Sequence, residues 1–305
     1  MGDIEHAMFN IHYYILHAFQ SGKPLPAIET DLRVYIAQMK EFEKGRMEIP
    51  CRLLWQVVLN LIGRSEHACA LTGLAMDEDE FLKNLSHEKY YLNHYQAYKS
   101  QLYAWFGHHE CGAEQAMARG ALHTLLPGSP VAVTDSFYRA ISLFAMARKT
   151  KKRKYLRPAK KCLATIKDWS KQGNCNVYHF LPFLEAELAA YHGRLNVAEK
   201  NYKLAIQMAS RAGFAQDAAL ANERYGEFLL QDVCNREAAA VHLRQAVSLY
   251  REWGAVRKIE LLQTKYYDLF PLPVQIEVSE NIDLASSHIG PVDLSARGSS
   301  SAIEP

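Results

Sequence analysis

Three glycines place the strongest constraint on what this chain can fold into. Gly173, Gly213 and Gly254 stand 40 and 41 residues apart, and each follows a segment whose apolar residues recur three and four positions apart. That recurrence is helical. A glycine just past a helix end can take the left-handed conformation that caps it. The same offsets align Ile166 with Ile206 and Val247, Thr165 with Ala205 and Ala246, and Cys162 with Tyr202 and Leu243. Ala198 likewise aligns with Ala239. Small residues at such positions let two helices approach, and larger apolar ones fill the groove between neighbours. A helix pair repeated at this period predicts a helical solenoid.

The spacing within each unit resembles the tetratricopeptide repeat. In "AAYHGRLNVAEKNYKLAI", Gly193 makes the turn, Ala198 packs five residues later, and Tyr202 and Ala205 follow. "LLQDVCNREAAAVHLRQAV" repeats the pattern with Cys234 in the glycine position. The expected fold is therefore all-α, with antiparallel helix pairs stacked as a tetratricopeptide-like right-handed solenoid over residues 1–270. The clearest repeats span about 134–268, and more divergent helices occupy 3–130. Apolar periodicity predicts helices near 3–20, 26–44, 50–63, 78–85, 87–106, 111–125, 134–149, 156–172, 176–192, 195–212, 215–231, 236–253 and 256–268. Residues 271–305 hold seven Ser and four Pro, lose the periodicity, and are expected to form a disordered tail.

Composition narrows the function classes. With 49% hydrophobic residues over 305 positions the chain can bury a large core, and a net charge of +2 gives no global field for nucleic acid or membrane. No apolar run approaches the roughly 20 residues of a spanning helix. The start lacks a secretory pattern, and His6 stands where a myristoylation signal wants Ser or Thr. Six scattered cysteines without a C-x-x-C pair read as free thiols in a reducing compartment. A cytoplasmic protein is expected; nuclear entry would follow only if the basic run 148–161 acts as a localisation signal.

Four stretches could carry chemistry. "GHHECG" offers His108, His109, Glu110 and Cys111 as metal ligands, but adjacent ligands on one turn seldom complete a tetrahedral shell. Gly107 and Gly112 match Gly193 and Ala198 in spacing, so the stretch reads as a turn between paired helices. "RKTKKRKYLRPAKK", Arg148 to Lys161, has nine basic residues and no acid; it reads as a solvated connection, with an acidic partner, nuclear import or nucleic acid as functional readings. Glu223 and Glu227 lie four apart on one helical face, and paired carboxylates can do acid–base work in a suitable pocket. No pocket is evident from sequence, and Asn222 and Glu223 are expected to face a neighbouring repeat or solvent. The aromatic residues Tyr13, Tyr14, Trp55, Tyr90, Tyr91, Tyr95, Tyr98, Tyr103 and Trp105 recur at helical spacing and read as filler between helices.

"FLKNLSHEKYYL" is the fourth. Phe81, Asn84, Ser86, His87 and Glu88 match the phosphoacceptor box of histidine kinases, but Tyr90 and Leu92 stand where that box has Arg and Pro. Without the proline the following helix continues unbroken. Ser86 suits an N-cap and Glu88 the first turn, so the stretch reads as a helix start. The chain has no phosphate loop, nucleophile elbow, kinase catalytic loop or dinucleotide fingerprint.

Longer stretches carry a family resemblance. "GDIEHAMFNIHYYILHAFQSGKPL", "LLWQVVLNLIGRSEHACALTGLAMDEDEF" and "AALANERYGEFLLQDVCNREAAAVHLRQAVSLYREWGAVRKIELLQTKY" resemble the helical repeat region of very large sensor kinases. Those proteins combine a serine/threonine-kinase-like domain, an AAA-type ATPase domain, the repeat region, a GAF domain and a C-terminal histidine kinase. The resemblance covers roughly 2–285 and lies wholly within the repeat region. It implies a fragment or stand-alone version of that region, without the catalytic domains. The expected function is a non-catalytic interaction or scaffold module associated with a sensor kinase. Its partner would be a protein or peptide on the concave helical face, such as a kinase or ATPase domain. No catalytic, cofactor or metal residue is expected, and neither is a membrane or nucleic-acid partner. The alternatives are a phosphorelay protein with His87 as phosphoacceptor and a folded remnant of a truncated kinase gene.

Overall fold

The computed structural model describes residues 3–42, 45–85, 87–125 and 129–270. The expected tail 271–305 lies outside the described residues. The chain opens with α1 (Ile4–Gln20), whose N-cap Asp3 accepts the His6 amide at 3.2 Å. Next come α2 (Leu25–Glu41), α3 (Gly45–Leu61), α4 (Glu78–Leu85), α5 (Lys89–Trp105), α6 (His109–Ala118) and α7 (Leu122–Leu125). The remainder holds α8 (Pro130–Thr150), α9 (Arg153–Lys171), α10 (Phe180–Tyr191), α11 (Leu195–Arg211), α12 (Ala215–Phe228), α13 (Arg236–Trp253) and α14 (Val256–Lys265). There is no strand among the described residues.

Three expectations need correction. The single helix expected over 111–125 is two, α6 and α7. Arg119 leaves the helix in an extended conformation, and its guanidinium reaches Asp135 on α8 and Ser100 on α5. That charge-assisted contact replaces a further helical turn. Next, α3 begins before Pro50 and holds that proline inside the helix, whereas the expected helix started at it. Finally, Ser86 lies outside the described residues, and the N-cap of α5 is Glu88, not a residue of its first turn. The Glu88 amide bonds back to Leu85 O at 3.0 Å, tying the α5 start to the end of α4.

The helix pairs share one turn. Gly107, Lys151, Gly193 and Cys234 all have positive φ, and the next helix begins two residues later in each case. The sequence pattern locates Gly193 and its stand-in Cys234. It misses Lys151, because lysine gives no signal for a left-handed position that costs it about 1–2 kcal/mol. Ala198 and Ala239, five residues past the turn, are fully buried. Consecutive helices pack: α8 on α9, α10 on α11, α11 on α12, and α12 on α13.

Contacts also join the first and last helices. Phe19 of α1, Trp105 of α5 and Trp253 of α13 form one buried aromatic group, with ring centroids 5.3–6.1 Å apart. Gln216 donates to Gln20 O at 2.8 Å, and Arg257 donates to Ser65 O and Glu66 O at 2.7 Å. One apolar cluster therefore runs from Met8 to Leu262. A strictly linear stack, in which each repeat touches only its neighbours, would leave these helices apart.

Gly254 tests that closure. A Cβ there would lie 2.7 Å from Cδ of Pro26 on α2, whereas at Gly213 it would meet nothing within 4 Å; both have positive φ. Gly213→Ala is expected to cost only the left-handed strain. Gly254→Ala should cost about 1–3 kcal/mol more, from overpacking. Denaturant melts of the two variants measure the difference, and equal losses would refute the contact.

Candidate functional site

A cavity of about 970 Å³ opens where α5, α8, α12 and α14 come together. The turn after α5 supplies Gly107 and His108, and the first residues of α6 supply His109, Glu110, Cys111 and Glu114. The end of α8 brings Arg148 and Lys149, followed by Lys151. Opposite stand Glu223, Arg224 and Glu227 of α12, then Gln231 and Asp232; α14 adds Leu261, Leu262 and Lys265.

Behind this lining lies a buried ion network. Glu187 of α10 accepts from Arg224 at 2.9 and 3.2 Å, from Arg148 at 3.3 Å and from Tyr202 at 2.9 Å. Arg224 also donates to Glu227 at 2.7 Å, and Arg148 pairs with Asp232. Glu227 takes further bonds from Lys265 at 2.7 Å and Tyr266 at 2.8 Å. Alongside, Glu223 accepts from Tyr250 and from the wholly buried Lys258, each at 2.7 Å, and Lys258 also donates to Trp105 O. Asp232 reaches Arg148 because α12 ends in a π-helical turn, Leu229–Val233, before left-handed Cys234. Such turns insert a residue and re-aim the side chains they carry.

The network fixes its own protonation. Burial would raise the Glu187 carboxyl, but Arg224 and Arg148 outweigh it and hold the group down to about 2. Arg224 and Lys265 likewise hold Glu227 below the usual carboxylate range against burial. His109 moves the other way: burial, reinforced by the Arg224 charge, lowers it to about 3, and its sealed Nδ1 has no hydrogen-bond partner. General acid–base work requires a group that titrates near the working pH. Glu187, Glu227 and His109 are all held far from neutrality.

Glu223 and Glu227 are buried and line a cavity that the sequence did not reveal; Glu223 faces the neighbouring helices, as expected, through Tyr250 of α13 and Lys258 of α14. Asn222 is buried as well, donating to Ala218 O at 2.9 Å, with its Oδ1 2.9 Å from His242 Nδ1. The helical period placed Glu223 and Glu227 on one face, but no local signal says what lies across from them. Most of the basic run is solvated, as expected, but α8 and α9 extend over nearly all of it. Arg148 belongs to the buried network, Lys149 and Lys151 stand exposed on the cavity rim, and Lys152 to Lys154, Arg157, Lys160 and Lys161 face solvent. The stretch from His108 to Cys111 forms the expected turn and the start of α6. Among the described residues, no three His, Cys, Asp or Glu side chains gather as a metal site. His87 stands apart from the cavity, ahead of α5 in a turn; its side chain is 72% exposed and its Nε2 lies 3.7 Å from Glu88.

No family model matches the chain, and no curated protein or solved structure is significantly similar to it. Among the described residues, no helix is long and apolar enough to cross a membrane. Among the described residues the chain is all-helical, with helix pairs that turn through a positive-φ residue and a cavity with a charged wall.

Proposed function

We propose that this chain is a non-catalytic helical-repeat interaction module, associated with a sensor kinase, that receives a segment of a partner protein in the 970 Å³ cavity. The observation that carries this reading is the division of charge in the lining. The wall ions Arg224, Glu227, Arg148, Asp232 and Lys265, with Glu187 behind them, satisfy one another. Rim charges Glu110 and Glu114 on α6 and Lys149 on α8 are exposed and left for a ligand. An acidic lip facing a basic one suits a polypeptide carrying both signs, since complementary rim charges set approach and register. Packed helix pairs supply such a surface.

The test is crosslinking mass spectrometry of the full chain with recombinant ATPase-type and kinase domains of such a sensor kinase. Crosslinks should concentrate at Lys149 and Lys151. The exposed-site double variant Glu110→Lys with Glu114→Lys should weaken the complex about ten-fold or more, as a few rim and hot-spot contacts do. Crosslinks scattered over the surface, or a complex indifferent to the rim variants, would refute the proposal. Radiolabelled phosphate retained equally by wild type and His87→Ala would exclude a phosphoacceptor role for His87.

A further inference from the structure

A second cavity, about 390 Å³, opens among α1, α7, α9 and the first turns of α8, α10 and α12. Its lining pairs aromatic faces with one carboxylate. Trp169, Phe180 and Phe214 supply the rings, and Asp217 the carboxylate. His17 and His123 stand in the same lining, and His123 packs edge-on against Trp169 at 5.5 Å. No lysine or arginine lines it among the described residues.

Asp217 is buried, yet no lysine or arginine pairs with it. Its Oδ1 accepts from Tyr138 at 3.2 Å; its Oδ2 lies 2.9 Å from His179 Nε2 and 3.3 Å from Gln216 Nε2. His179 stacks on Phe214 at 4.6 Å. A carboxylate offers about four lone-pair sites, so one remains after these three contacts. The start of α12 adds only about half a positive charge, and His179 supplies a full one only when protonated. Buried charges are ordinarily paired. A carboxylate without a fixed cation, in a cavity of ligand size that three aromatic rings also line, matches the chemistry that binds organic ammonium ions.

We propose that this pocket binds a small organic cation, an ammonium group attached to an apolar body. The ammonium would meet Asp217 while the apolar body lies against Trp169, Phe180 and Phe214. This site is separate from the charged cavity, so its success or failure leaves the interaction-module reading untouched.

Calorimetric titration of the full chain with three probes of one shape tests it: phenethylammonium, 2-phenylethanol and phenylacetate. Phenethylammonium should bind about ten-fold or more tighter than the alcohol, as a desolvated cation gains from both carboxylate and rings. Phenylacetate should not bind. Asp217→Asn should abolish the preference for the cation, and Trp169→Ala, at a half-buried position, should weaken phenethylammonium binding with the fold intact. If Asp217→Asn does not fold, the wild-type preference and its weakening in Trp169→Ala decide the matter. Equal binding of cation and alcohol, preference for phenylacetate, or no binding at millimolar probe would each overturn the proposal.

Discussion

Glu187→Ala is expected to destabilise the protein by about 3–5 kcal/mol, the cost of breaking a buried ion pair on one side only. The carboxylate is wholly buried and holds Arg224, Arg148 and Tyr202 at once. Its loss leaves two guanidinium groups facing each other without their shared anion. Coulomb repulsion then adds to the desolvation that the pair had offset. Arg224→Met in the Glu187→Ala background should recover part of the loss, because it removes one of the two cations left facing each other while Glu227 keeps Lys265 and Tyr266. The exposed pair Lys203–Glu199 is the control; Lys203→Ala should cost no more than about 1 kcal/mol. Urea melts at neutral pH measure all of these. A Glu187→Ala cost near that of Lys203→Ala would show that water reaches the network and screens it.

Acid should loosen the fold at pH values well above those at which Glu187 protonates. His12 of α1 is 1% exposed, its Nδ1 lies 3.6 Å from Cys51 Sγ, and its Nε2 is sealed without a partner. Burial, with His94 nearby, lowers its pKa from 6.5 to about 3. Between those values the unfolded chain binds a proton that the folded chain refuses. Stability therefore falls as pH drops through this window, by about 1.4 kcal/mol per pH unit for one such histidine. His109 is lowered to about 3 as well and adds a slope of the same sign. Glu187, held down to about 2, contributes stability that is lost only below its unfolded value of 4.5. Between pH 6.5 and 4.5 the histidines thus dominate. His12→Leu should flatten this limb, reducing the difference in unfolding free energy between pH 6.5 and 4.5 by about 2–3 kcal/mol. An unchanged acid slope in His12→Leu would mean that another group carries it.

Much of the architecture was legible because it is local. Apolar spacing set the helices within a few residues, since each amphipathic face must be buried whatever lies opposite it. The pattern around Gly193 carried over to Cys234, whose φ of 57° matches the position assigned to it. Lys151 takes the same conformation without any residue preference to announce it. Arg119 ends α6 because a buried carboxylate waits on α8, a cause that lies 16 residues away.

The candidate site was far less legible. Glu223 and Glu227 stood out as a pair, and Arg148 only as the first residue of the basic run; Glu187 and Asp232 gave no signal, and Asp217 drew no attention at all. Arg148 and Asp232 are 84 residues apart, and Arg224 and Glu187 are 37 apart. Neither separation follows a rule that a single sequence exposes.

The sequence alone determined that this chain forms paired helices at a period near 40, because helical periodicity and turn stereochemistry act over a few residues. Tertiary structure alone decided which charges are buried together. It also decided that α1 and α2 meet α12 and α13 through Phe19, Gln20, Pro26, Gln216, Trp253 and Gly254. Both outcomes depend on how successive pairs rotate against one another. That rotation is set by the summed packing of side chains from distant segments, which no local pattern records.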